Sequence, residues 1–201
     1  MAARMPISAA ILCGGEGRRM GGVNKGQLLV AGKTFIERQL DVLRPLTPHL
    51  MIIGRKSAHA SPPGVRLVPD AVEDAGALGG IYTALQASVT DRVLVLACDM
   101  PFVTTAFLTF LIEHGDDADV VIPRDEKGRH PLCGVFHRRI APALKTRIDG
   151  RTLRVDEAIA TLDVREVGKE AISPFDRDGR LLLNVNTPEE YREGMSGYDT
   201  P

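Results

Sequence analysis

Between Leu12 and Lys25 the sequence reads LCGGEGRRMGGVNK, a stretch that combines glycines with positive charge. Because glycine lacks a Cβ, a glycine-rich backbone can close around an anion and bind it through main-chain N–H groups. Arginine and lysine side chains add charges that match phosphate. This stretch therefore predicts a binding loop for a polyphosphate. The glycines are Gly14, Gly15, Gly17, Gly21 and Gly22, and the cations are Arg18, Arg19 and Lys25.

Two widespread phosphate-binding motifs do not fit this sequence. A Walker A loop needs G-x-x-x-x-G-K-[ST], but Lys25 follows Asn24. The later Gly32-Lys33-Thr34 has Gln27 where the first glycine should stand, so it reads as a turn before a helix cap. The dinucleotide fingerprint G-x-G-x-x-G also fails, since Met20 occupies the place of its last glycine.

A carboxylate after a strongly apolar segment is the main candidate for a metal ligand. Residues 92–97 (RVLVLA) predict a central parallel strand because the run is apolar on both faces, and Asp99 follows in the sequence CDMP. Ligands of open parallel sheets bind at the carboxyl ends of the strands, where a carboxylate suits a hard cation such as Mg²⁺. Alternatively, Asp99 caps a helix or a loop.

Two further polar positions also follow segments that resemble strands. Asp70 can reach a bound ligand there or cap a turn. Asn184 and Asn186 lie in NVNTPEE, where amides can orient a phosphate, complete a metal shell or serve the turn before a helix. Because Thr187 and Pro188 already supply the signals for a helix start, the ligand role is favoured for the asparagines.

The elements that must position these residues alternate between strand-like and helical patterns. This order predicts an α/β fold with a mostly parallel, Rossmann-like sheet and helices on both faces. The predicted strands are residues 7–13, 50–53, 65–68, 92–97, 119–123, 129–138 and 164–167, and the predicted helices are 34–43, 73–88, 104–114, 140–148, 152–161 and 188 onward. Thr34 and Glu37 have the spacing of a capping box, as do Thr187 and Glu190. We expect the strand at 129–138 to cover the active-site side.

Composition limits the classes of function. At 201 residues, with 44% apolar and 25% charged residues, we expect one globular domain over residues 1–201, with a frayed tail after about 195. The net charge of −1 provides no global attraction for nucleic acid. The sequence has no membrane span or signal segment, so a cytoplasmic protein is expected. Its 3 cysteines are too few and too scattered for a disulfide framework or a zinc site.

The pattern G-G-x-x-x-R-M-G-G-x-x-K, followed by CDMP and NVNTPEE, resembles that of the nucleotidyltransferases with a GT-A-like α/β fold, most closely the molybdenum cofactor guanylyltransferases. The resemblance implies catalytic roles for Arg19, Lys25 and Asp99, with Asp99 as the Mg²⁺ ligand. The GTP-binding residues that it implies are Leu12, Cys13, Gly14, Gly15, Arg19, Lys25, Asp70 and Asp99. The acceptor-binding residues that it implies are His130, Pro131, Asn184 and Asn186. Gly54 and Arg55 depart from the family pattern after the second strand, which leaves their roles open.

The resemblance also implies a reaction, in which GMP passes from GTP to the terminal phosphate of molybdopterin or Mo-molybdopterin and pyrophosphate leaves. The partners that the resemblance implies include other proteins of molybdenum cofactor biosynthesis and molybdoenzyme chaperones. The alternatives within enzymes are a molybdopterin cytidylyltransferase or a sugar-phosphate nucleotidylyltransferase, and Gly14-Gly15 argues against the use of CTP. An alternative of another class is a nucleotide-binding regulatory protein without turnover, against which Arg19, Lys25 and Asp99 argue.

Overall fold

The computed structural model describes residues 6–14, 25–54, 61–115 and 117–195. Its strands are β1 (Ile7–Leu12), β2 (Leu29–Val30), β3 (Lys33–Thr34), β4 (Leu50–Ile53), β5 (Val65–Val68), β6 (Arg92–Ala97), β7 (Val120–Asp125), β8 (Gly128–Arg129), β9 (Cys133–His137) and β10 (Val164–Val167). Its α-helices are α1 (Phe35–Leu43), α2 (Gly76–Ala87), α3 (Thr105–Glu113), α4 (Ala141–Asp149), α5 (Val155–Ile159), α6 (Lys169–Ile172) and α7 (Pro188–Met195).

The main sheet is mixed but mostly parallel, as predicted. Its strand order is β10-β7-β9-β6-β1-β4-β5, and β8 pairs with β7 outside that path. Strand β9 runs antiparallel to both β6 and β7, whereas β1 is parallel to β4 and β6. Strands β2 and β3 form a separate hairpin. The carboxyl ends of β1, β4, β5, β6 and β7 consequently lie along one edge of the sheet.

Apolar side chains cover both faces of this sheet. All residues of β1 and β6 are buried, which confirms that these strands are central. One face packs against α1 and α3, for example through Leu40 and Phe107, and the other against α2 and α4, through Leu78 and Leu144. The sequence-based prediction of helices on both faces is confirmed. Within the described ranges, no helix is both long and apolar enough to span a membrane.

Three predicted elements have wrong boundaries. The helix predicted at 73–88 begins only at Gly76, because Asp74 and Gly76 have positive φ angles of 53° and 56°. The helix predicted at 152–161 is reduced to α5, which follows the left-handed Arg151 (φ 58°). The strand predicted at 129–138 divides into β8 and β9, because the N–H of Cys133 bonds the carbonyl of His130 and forms a turn.

The helix caps agree with the sequence. Thr34 and Glu37 form the complete capping box of α1. At the start of α7, the N–H of Glu190 donates to Oγ1 of Thr187, and the N–H of Thr187 donates to Oε2 of Glu190. Helix α3 is capped by Thr104, which accepts a hydrogen bond from the N–H of Phe107. These short-range contacts fix where the connecting segments enter their helices.

Candidate active site

The candidate site is built around the ends of the paired strands β1 and β6. Leu12 is in register with Ala97, and the N–H of Cys98 donates to the carbonyl of Leu12 at 3.1 Å. The first residues after each strand therefore remain side by side. This pairing places the start of the glycine loop, at Cys13 and Gly14, next to the turn that contains Asp99.

Asp99 occupies a β-turn whose backbone is fixed from several sides. The N–H of Met100 donates to the carbonyl of Ala97 at 3.2 Å and closes the turn around Cys98 and Asp99. The carbonyl of Asp99 accepts the N–H of Val185 at 2.9 Å. Because Thr104 caps the following helix, the suggestion that Asp99 is that helix's N-cap is wrong.

The asparagine segment follows a turn at Leu181 and Leu182 rather than the strand that its sequence indicated, and it is held directly against the Asp99 turn. Val185, which is fully buried, lies between Asn184 and Asn186, so its bond to the carbonyl of Asp99 brings both asparagines beside that residue. The N–H of Asn186 donates to Oε2 of Glu190 at 2.6 Å. Val185 also joins a small apolar cluster with Phe35 and Phe102, and this cluster connects α1 with the segment after Asp99.

Asp70 and Gly54 lie next to Cys13 and Gly14, where the glycine loop begins. A Cβ built on Gly14 would lie 3.7 Å from Oδ2 of Asp70, so this carboxylate lies beside the start of the loop. Gly54 has a φ of +139°, and a Cβ there would lie 2.9 Å from the carbonyl carbon of Cys13 and 3.0 Å from the nitrogen of Gly14. Gly54 is therefore a close-packing position beneath the loop, a role that its sequence context did not reveal.

The two cysteines at these strand ends contact each other. The pKa of the Cys13 thiol is raised by its hydrogen bond with Cys98, by burial and by the nearby charge of Asp99. Both cysteines are free, and Cys13 is partly buried. A thiol with a raised pKa stays protonated at neutral pH, so Cys13 is not suited to act as a nucleophile.

The predicted acceptor residue His130 lies against a carboxylate at the end of β7. Nε2 of His130 lies 2.9 Å from Oδ2 of Asp125, and the His130 side chain is only 9% exposed. Burial raises the pKa of Asp125, but contacts with His130 and with the N–H of Lys127 outweigh burial and hold that pKa below its ordinary value. Asp125 was missed in the sequence, although it ends a strand like Asp70 and Asp99. Pro131 lies in the turn between β8 and β9.

Several predicted site residues lie outside the part of the chain that the structure describes. They are Gly15, Gly17, Arg18, Arg19, Gly21, Gly22 and Arg55. The backbone of Lys25 begins a short 3-10 helix, Lys25–Gln27, but the structure does not describe the Lys25 side chain. Their predicted roles in binding phosphate stay predictions. The described residues bring together Cys13, Gly14, Asp70, Asp99, Asn184 and Asn186, while His130 and Pro131 lie further along the same edge.

The side-chain oxygens near the Asp99 turn suit a hard divalent cation that also binds a nucleotide. The carboxylate of Asp99 and the nearby amides of Asn184 and Asn186 offer oxygen, which such cations prefer. Among residues 6–14, 25–54, 61–115 and 117–195, no three His, Cys, Asp or Glu side chains are grouped to hold a metal ion by themselves. Nucleotide phosphates would add further oxygen ligands to a cation held at Asp99.

A mostly parallel α/β sheet with a glycine-rich segment and a carboxylate after its strands, and with two asparagines held beside that carboxylate, is the arrangement expected of a nucleotidyltransferase. The chain belongs to the MobA-like NTP transferase family, because residues 9–161 match the family model described as the MobA-like NTP transferase domain. The expected class of enzyme and its fold are thus confirmed.

Individual relatives match nearly the whole chain. The probable molybdenum cofactor guanylyltransferase of Flavobacterium johnsoniae is 32% identical over 188 residues, which cover 93% of this chain and 95% of the relative. Its counterpart in Chloroflexus aggregans is 34% identical over 200 residues, with 96% and 95% coverage. The crystal structure of molybdopterin-guanine dinucleotide biosynthesis protein A from Archaeoglobus fulgidus superposes with a TM-score of 0.81 at 25% identity, and it covers 94% of this chain and 97% of that one.

Proposed function

We propose that this protein is a molybdenum cofactor guanylyltransferase, which transfers GMP from GTP to the terminal phosphate of molybdopterin and releases pyrophosphate. The main support is the position of Asp99, whose turn is bonded to β1 on one side and to the Asn184–Asn186 segment on the other. The names of the relatives in Flavobacterium johnsoniae and Chloroflexus aggregans support the choice of substrates.

The nucleotide would bind at the ends of β1, β5 and β6. Main-chain groups from Leu12 to Gly15 would surround its phosphates, together with Arg19 and Lys25 from the glycine loop. Asp70, which lies beside Gly14, would face the base or the ribose. The doubled glycine at Gly14 and Gly15 leaves room for a purine, which favours GTP over CTP.

Mg²⁺ is the cation that we propose at this site, with Asp99 as its protein ligand. When bound there, it would neutralise the negative charge that develops on the α-phosphate and on departing pyrophosphate. Asn184 and Asn186 would orient the acceptor phosphate or complete the metal shell with their amide groups. Arg19 and Lys25 would stabilise the same developing charge without titrating.

The acceptor supplies its own nucleophile, since a phosphate oxygen is already ionised at neutral pH. The protein therefore needs no general base, and its contribution is alignment together with fixed charge. The raised pKa of Cys13 agrees with a site that works without a thiolate. His130 is nearly buried against Asp125, so we propose that it shapes the acceptor side, together with Pro131 in the adjoining turn.

Pyrophosphate release tests the proposal. Purified protein with Mg²⁺ and molybdopterin should release pyrophosphate with GTP far faster than with CTP, and no release should occur when molybdopterin is omitted. Mass spectrometry should identify the product as molybdopterin guanine dinucleotide. A preference for CTP would instead identify a cytidylyltransferase, and binding of GTP without any release would indicate a regulatory protein.

A further inference from the structure

Helix α1 sends one polar side chain into the core beneath the Asp99 turn. Gln39 is only 1% exposed, while other buried residues of this helix, Phe35, Leu40 and Leu43, are apolar. Nε2 of Gln39 donates to the carbonyl of Ala97 at 2.6 Å and to the carbonyl of Met100 at 3.1 Å. These two carbonyls belong to the first and last residues of the turn that presents Asp99.

The orientation of the Gln39 amide is determined by its surroundings. Two carbonyl oxygens face its end, so the NH₂ group must point toward them and the amide oxygen must point away. Among the described residues, Oε1 of Gln39 has no hydrogen-bond partner. A buried acceptor without a partner is unfavourable, whereas an apolar residue would fill the same space without that cost. Burial alone therefore does not account for glutamine at this position.

The other hydrogen bonds of the Ala97–Met100 turn do not connect it to helix α1 in the way that Gln39 does. The bond from the N–H of Met100 to the carbonyl of Ala97 closes the turn, and the bond from the N–H of Val185 holds the carbonyl of Asp99. Neither of these contacts joins the turn to helix α1. That helix reaches the residue after the turn through Nε of Arg38, which donates to the carbonyl of Pro101 at 3.2 Å, and it holds both ends of the turn itself through the single NH₂ group of Gln39.

We propose that Gln39 is a positioning residue for metal-dependent nucleotide binding, which aims the carboxylate of Asp99 through the Ala97–Met100 turn. This inference rests on the proposed function in one respect, the role of Asp99 as the ligand of a divalent cation. Gln39 itself touches neither substrate nor metal. Its loss should therefore affect the use of the cation more than the binding of metal-free nucleotide.

The test is GTP binding by calorimetry across a Mg²⁺ titration, with a parallel titration in EDTA. Gln39→Met keeps the approximate volume of the side chain and removes both donors. It should raise the Mg²⁺ concentration that gives half of the full enhancement of GTP affinity by about 5-fold, the scale of a lost hydrogen bond. The affinity for GTP in EDTA should stay within about 2-fold of wild type, because the glycine loop is unchanged.

Leu43→Val is the matched control on the same helix. Leu43 is fully buried and lies one helical turn further from the Asp99 turn, so this variant should lower the melting temperature while leaving the Mg²⁺ titration unchanged. If Gln39→Met fails to fold, Gln39→Asn provides a milder change, because its shorter amide withdraws from the two carbonyls. A folded Gln39→Met or Gln39→Asn protein with the wild-type Mg²⁺ titration would overturn the proposal, whatever its melting temperature.

The same titrations separate this inference from the proposed function. If GTP affinity of the wild-type protein does not depend on Mg²⁺, the metal-binding role of Asp99 fails, and the role of Gln39 fails with it. If the wild-type protein shows the dependence and the Gln39 variants retain it fully, only the positioning role is wrong. A raised Mg²⁺ requirement in the Gln39 variants, with normal behaviour of Leu43→Val, supports the proposal even where molybdopterin turnover has not been measured.

Discussion

The two halves of the candidate site differ in the side-chain interactions around them. In the nucleotide half, at Gly14, Gly54, Asp70 and Asp99, main-chain hydrogen bonds and close packing fix the backbone. In the other half, around β7, β8 and β10, where we propose that the acceptor binds and which we call the acceptor half, ion pairs are added to the main-chain bonds of the strands. Arg124 and Arg129 both bond Glu166, at 2.9 and 2.7 Å, and His130 contacts Asp125, while Lys169 bonds Glu126 at 2.6 Å.

Because of this difference, we expect the two halves to respond differently to salt and to pH. Main-chain bonds in a buried turn are insensitive to salt and to pH, so the nucleotide half should keep its geometry over a wide range of conditions. Ion pairs at a partly exposed edge are screened by salt and weaken when a carboxylate is protonated. We therefore expect mutations in the nucleotide half to have large effects on rate or stability, and those in the acceptor half to have small effects that depend on conditions.

The largest effect should come from removing the charge of Asp99. Asp99→Asn keeps the size of the side chain and the bonds of the turn, but an amide is a poorer ligand for Mg²⁺. We expect the rate of GMP transfer to fall by about 100-fold, the scale for one lost electrostatic contact in a transition state. The affinity for GTP should fall less, and the Mg²⁺ requirement should rise. Steady-state rates across a Mg²⁺ titration measure all three.

Asp125→Asn makes the corresponding change in the acceptor half. Asp125 is the last residue of β7, and its described contacts are with His130 and with the N–H of Lys127. The Asp125→Asn protein should therefore require the same Mg²⁺ concentration as the wild type. If Asp99→Asn behaves like Asp125→Asn in the Mg²⁺ titration, Asp99 is not the metal ligand and the distinction between the two halves loses its main support.

A second large effect should come from packing beneath the glycine loop. Gly54→Ala combines a φ of +139° with a Cβ only 2.9 to 3.0 Å from the backbone of Cys13 and Gly14. Backbone strain and overpacking together should lower the free energy of unfolding by about 3 kcal/mol and weaken GTP binding. Denaturant unfolding and calorimetry measure the two changes.

Gly64→Ala separates strain from contact. Gly64 has a φ of +74°, but among the described residues no atom beyond its chain neighbours lies within 4 Å of a Cβ built there. The variant should lose only about 1 kcal/mol and bind GTP normally. Equal losses in the two variants would mean that the contact of Gly54 with Cys13 and Gly14 is unimportant.

The sequence singled out more residues of the nucleotide half than of the acceptor half, and the reason is the range of the signals. The glycine loop, CDMP and NVNTPEE are local patterns, and capping boxes such as Thr34 with Glu37 depend on residues three apart. The antiparallel direction of β9 has no local signal. The contact of Gln39 with Ala97 spans 58 residues, and Gly54 packs against residues that follow another strand. Neither contact has a local sequence pattern, so neither could be predicted from the sequence.

A smaller effect should follow from Glu166→Gln in the acceptor half. The change removes the charge that pairs with Arg124 and Arg129, whose side chains are 56% and 32% exposed. Because exposed pairs contribute little, we expect the free energy of unfolding to fall by about 1 kcal/mol or less, and by less again in 1 M NaCl. Glu126→Gln, which affects only an exposed pair with Lys169, should have no measurable effect. A loss that salt does not reduce would show that Glu166 acts by packing.

The smallest effect should be a change with pH in the stability difference between the wild type and Glu166→Gln. This difference should disappear in acid. Two hydrogen bonds hold the pKa of Glu166 below its ordinary value of 4.5, and the bond from Arg124 contributes more than the bond from Arg129. A carboxylate with a lowered pKa in the folded state stabilises the protein above its unfolded pKa, and this contribution is lost as the pH falls through the folded pKa. The melting temperature of wild type should therefore exceed that of Glu166→Gln by a constant margin above about pH 5.5, and the margin should shrink as the pH falls below 4.5. Melting curves of both proteins between pH 3 and pH 7 measure it, and a margin that widens in acid would contradict the ion-pair account of the acceptor half.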